Sequence, residues 1–72
     1  MMTVDERLSF TTEMLKGYTN EKDKFFELAL SDYTNAYIIA HKAEDTMEED
    51  ALERIEYCQS MLGIESSDIM EN

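Results

Sequence analysis

The side chains best placed to do chemistry in this 72-residue sequence are seven carboxylates crowded together: Glu44, Asp45, Glu48, Glu49, Asp50, Glu53 and Glu56. On a helix, Asp45, Glu49, Glu53 and Glu56 share one ridge, with a carboxylate about every 5–6 Å along the axis. That spacing resembles successive phosphates along a nucleic-acid strand. Such a ridge can occupy a groove of Lys and Arg that normally holds a phosphate backbone, through an attraction that salt weakens. The same acids also have an ordinary use, because carboxylates in a first turn favour the helix dipole.

Other chemistry finds less material. His41 and Glu44 form an H-x-x-E pair, yet His41 is the single histidine and no Cys/His spacing completes a metal-ligand set. Cys58 has no histidine in its own helix to act as a base, so it reads as a small buried residue. There is no Ser/His/Asp set, no glycine-rich phosphate loop and no calcium loop. The expectation is a protein that is not an enzyme and that carries no metal or cofactor.

The charge narrows the partner. Seventeen acids against six bases give −11, and residues 37–72 hold ten of the acids but two of the bases. A surface of that sign repels phosphate, so direct nucleic-acid binding and docking on an anionic membrane are not expected. A basic protein partner fits. The N-terminal stretch lacks the basic and apolar parts of a signal peptide, no apolar run reaches the 18 or so residues of a membrane span, and one free cysteine suits a reducing compartment. These features predict a cytoplasmic protein.

The elements that must position the acids are helical. Thr3-Val4-Asp5-Glu6 has the form of a capping box, and Val4, Leu8, Thr11, Leu15 and Tyr18 follow at spacings of four and three, with Phe10 and Met14 broadening that face. Gly17 reads as a C-terminal stop, which sets a first helix over 4–16. Thr19 or Asn20 then caps a central helix over 20–44, with Glu21 in its first turn. Its apolar side chains, from Phe25 to Ala43, span an arc of roughly 200°, too wide for one neighbour, so this helix is expected to be sandwiched. Phe25, Phe26, Tyr33 and Tyr37 on that arc are expected to serve as core and self-interface. Ile38 falls off it and marks an outward contact.

Thr46-Met47-Glu48-Glu49 reads as a second capping box opening a third helix over 47–62, with Met47, Ala51, Ile55, Cys58 and Leu62 as its core stripe. Without proline or glycine between Glu21 and Leu62, a helical hairpin with one long second helix is the alternative. Residues 1–64 are expected to form a single domain and 65–72 a flexible acidic tail. So small a core is marginal alone, and self-association as a homodimer is the expected remedy. The fold expectation is all-α, a small three-helix bundle. The functional expectation is a non-catalytic acidic protein that binds and inhibits, or modulates, a basic nucleic-acid-handling protein by phosphate-backbone mimicry, of the kind a phage or mobile element carries. Its partner-binding residues are Glu44, Asp45, Glu48, Glu49, Glu53, Glu56 and Ile38. The competing expectation is a structural adaptor that assembles a complex through its apolar helical face.

Overall fold

The computed structural model describes residues 1–63, and these form three helices: α1 (Val4–Lys22), α2 (Phe26–Lys42) and α3 (Glu48–Leu62). The expected tail, 65–72, lies outside the described residues. The long-helix alternative is ruled out, because α2 ends at Lys42. The capping box at Thr3 forms as expected: Glu6 N donates to Thr3 Oγ1 at 3.1 Å, and Thr3 N donates to Glu6 Oε1 at 2.8 Å.

The boundaries differ from the sequence expectation at both turns, for one reason. Gly17 does not end α1; it lies buried in the helix, against the ring of Tyr33. The helix continues to Lys22 and closes in a Schellman motif, with Phe25 N donating to Asn20 O (2.8 Å) and Lys24 N to Glu21 O (2.9 Å). The same motif closes α2, with Asp45 N donating to Ala40 O and Glu44 N to His41 O, both at 3.0 Å. The left-handed residue that such a motif needs is Lys24 at φ 66° and Glu44 at φ 53°. Glycine usually fills that position, and here it does not, so the stops leave little trace in the sequence. Thr19 and Asn20 consequently sit inside α1. The N-cap of α2 is Phe25, which gives no side-chain hydrogen bond.

The second capping box does not form. Met47 is the N-cap of α3 and offers no side-chain bond; Asp45 Oδ1 accepts instead from Met47 N at 3.0 Å, bracing the turn one step earlier.

As expected, α2 lies in the middle. It packs on both α1 and α3, and those two scarcely approach one another. The contact faces are built of small residues: Gly17 on α1, Ala29, Ala36 and Ala40 on α2, Ala51 on α3. Phe10, Met14, Tyr33 and Cys58 fill the space between. The expected stripe of α3 faces inward, with Ala51 and Cys58 fully buried and Met47 and Ile55 packed against the core.

The expected face of α1 is overturned in its main stripe and holds only for Phe10 and Met14. Val4 is 76% exposed, Leu8 62%, Leu15 58% and Tyr18 47%, and Thr11 is exposed too, while Phe10, Met14 and Gly17 turn inward. This helix is apolar on two sides. The side that carries the glycine wins the core because it alone leaves room for the Tyr33 ring of α2.

Two outcomes check this account in thermal or urea unfolding. Gly17→Ala should destabilise by about 2 kcal/mol despite its gain in helix propensity, because the new Cβ would stand 2.7–2.8 Å from Tyr33 Cδ1 and Cζ. Lys24→Gly and Glu44→Gly should each stabilise by about 0.5–1 kcal/mol, by relieving left-handed backbone at a bulky residue; a loss of stability would refute the turn geometry.

Candidate functional site

One carboxylate joins all three helices. Glu21, in the last turn of α1, accepts from the Tyr33 hydroxyl of α2 through Oε1 at 2.8 Å and from Arg54 Nη2 of α3 through Oε2 at 2.6 Å. The Arg54 guanidinium lies 4.7 Å above the centre of the Tyr57 ring, and Tyr18 meets Tyr33 edge-to-face at 5.7 Å. Burial and the Glu21 carboxylate push the Tyr33 phenol well above its usual range, because both oppose a phenolate there. The Glu21 hydrogen bond likewise raises Arg54. Cys58 is fully buried, and burial pushes its thiol up, with Glu21 adding to the effect. This thiol is therefore kept protonated, unlike a nucleophile primed for attack.

Glu21 escapes the sequence reading because α1 is expected to end at Gly17, which assigns Glu21 to the start of α2. The one available signal is that, on an α1 extended beyond Gly17, Glu21 falls on the Phe10–Met14–Gly17 face.

The acidic cluster divides. Asp45 leaves the expected ridge: besides Met47 N, it accepts from Met2 N at 3.3 Å through Oδ2. Those two backbone donors, Met47 first, hold its carboxyl below the ordinary carboxylate range. Glu48 is also engaged, its Oε1 2.9 Å from His41 Nδ1 across the α2–α3 turn, and the His41 ring stacks on Tyr37 at 5.4 Å. His41 thus faces Glu48 rather than Glu44, and no group of three metal-binding side chains occurs among the described residues.

Glu44, Glu49, Asp50, Glu53 and Glu56 remain exposed, and none has an ion-pair partner among the described residues. Glu49, Glu53 and Glu56 recur at four and three along α3, which puts them on one side of it, about 4.5–6 Å apart along the axis. The single base of α3, Arg54, is drawn inward to Glu21, so it neutralises none of them.

The aromatic quartet divides as well. Tyr33 has no exposed surface and is committed to Glu21, so it cannot serve as a self-interface. Phe26 is half-buried edge-to-face on Tyr57, Tyr37 is half-buried under His41, and Phe25 is exposed. Ile38 is 43% exposed, in a shallow groove with Asp5, Ser9 and Lys42.

A larger groove of about 480 Å³ runs between α1 and α2 beside Leu15 and Leu28. Its charged groups satisfy one another: Asp32 accepts from Asn20 Nδ2 at 2.7 Å and lies 4.0 Å from Lys16 Nζ.

The clasp predicts an alkaline instability. The folded state holds the Tyr33 proton more tightly than the unfolded chain, whose tyrosines titrate near pH 10. Its contribution is therefore complete below about pH 10 and declines as the pH rises beyond it. Tyr33→Phe should flatten that decline in denaturant titrations at pH 8–11.5, and Glu21→Gln should cost about 1–3 kcal/mol at neutral pH by leaving Arg54 unpaired. Comparison with protein-family models, with curated proteins and with solved structures finds no match.

Proposed function

We propose that this chain is a non-catalytic binding protein whose α3 carboxylates engage a basic protein that handles nucleic acid, taking the place of a phosphate backbone and so inhibiting or modulating it. The observation that carries the reading is the exposed run Glu49, Glu53 and Glu56, with Glu44 and Asp50 nearby, without counter-charges among the described residues while Arg54 is turned inward. A helix that keeps its own cation for the interior presents a nearly uniform negative edge, which favours Lys- and Arg-lined grooves and speeds encounter with them. Asp45 and Glu48 are left out of the proposed surface, because their carboxylates are engaged at the α2–α3 turn.

A second reading, an adaptor, is favoured by a different observation, the solvent-facing Val4, Leu8 and Leu15 on α1. An adaptor binds through apolar contact, and charge then serves only solubility.

Affinity capture from the native host at about 50 and 200 mM salt separates the two. The mimic expects a basic partner, lost at the higher salt, displaced by added double-stranded DNA, and absent with Glu49→Lys/Glu53→Lys. A neutral or acidic partner, or a basic one indifferent to DNA and to the charge reversals, would overturn it in favour of the adaptor.

A further inference from the structure

We infer that two copies of this chain pair through the outer face of α1, running antiparallel about a two-fold axis between Thr11 and Thr12. The face is a straight stripe of Val4, Leu8, Thr11, Thr12, Leu15 and Thr19, all exposed, on the side of the helix turned away from the Phe10–Met14–Gly17 core contact. Its order reads almost the same in both directions. With the axis between the two threonines, Leu8 of each copy meets Leu15 of the partner subunit, and Val4 meets Thr19 of the partner subunit. The short threonines stand at the crossing point, where small side chains let two helices come close. Asp5 and Lys16 lie on the same flank of the stripe, so the pairing brings each Asp5 beside Lys16 of the partner subunit.

Charge selects the occupant. A chain of net charge −11 repels its own copy, and α3 is the worst surface for an approach, with five acids and one base. In α1 four acids face three bases, so two copies can approach there at little electrostatic cost. A basic partner would choose α3 and gain nothing from this stripe. The stripe also answers a shortage: among the described residues the buried core consists of nine apolar residues, several of them alanine, while eleven large apolar side chains stay exposed. Pairing α1 covers three of the most exposed. The contact is one helix wide and about 28 Å long, smaller than the roughly 800 Å² per partner of a standard interface, so the dimer should be reversible with micromolar dissociation.

Sedimentation of the full chain over about 10–1,000 µM tests this. The expected result is a mass rising from 8.4 kDa toward twice that value, tightening as salt screens the like charge. Leu8→Glu and Leu15→Glu should each weaken the association at least tenfold with an unchanged helical circular-dichroism spectrum, since both side chains already face water. Glu49→Lys/Glu53→Lys should leave the association intact or tighten it, which separates this proposal from the α3 reading. A wild-type chain that stays at 8.4 kDa up to about 1 mM, or a dimer indifferent to both leucine substitutions, would overturn the proposal.

Discussion

Glu21 ties the three helices together, because each of its two oxygens holds a different helix. Through Tyr33 it fixes the rotation of α2 against α1, and through Arg54 it fixes α3, which has little direct packing on α1. A charge-assisted bond that is only partly exposed is stronger than a surface pair, and a lost partner would strand the other charge. In a core this thin, that carboxylate adds orientation to what apolar burial supplies.

Around the clasp, small residues decide which surfaces meet. The alanines of α2 leave room for its neighbours, and the Tyr33 ring fills the space that Gly17 of α1 leaves. The consequence reaches the surface. Because the glycine side of α1 is drawn inward, its leucine side is turned out; because Arg54 is drawn inward, the edge of α3 is left negative. The protein thereby carries two unlike exposed faces, one apolar and nearly neutral, the other acidic, and the interior contacts produce both.

Much of this architecture is legible in the sequence. The three helices, the Thr3 capping box, the middle position of α2 and the inward stripe of α3 follow from spacing and cap chemistry. What is not legible has a physical cause at each point. The turns are hidden because Lys24 and Glu44 accept a left-handed backbone that glycine would advertise. Gly17 misleads because it serves packing rather than termination. The α1 face is ambiguous because two apolar stripes compete, and only the tertiary fit of Gly17 to Tyr33 chooses between them. Of the acidic cluster, Glu49, Glu53 and Glu56 can be placed in advance from helix period alone. Asp45 and Glu48 cannot, because their positions depend on where α2 stops and how the turn reaches His41.

The sealed position of Cys58 gives the molecule an internal clock. Its thiol, screened from water and disfavoured as a thiolate, can meet a reagent only when α3 lifts from α2. Arg54, one turn before it, is tied to Glu21, so an opening that reaches back through that turn breaks the three-way contact as well. The rate at which this lone sulfur is alkylated therefore measures how often α3 opens around it.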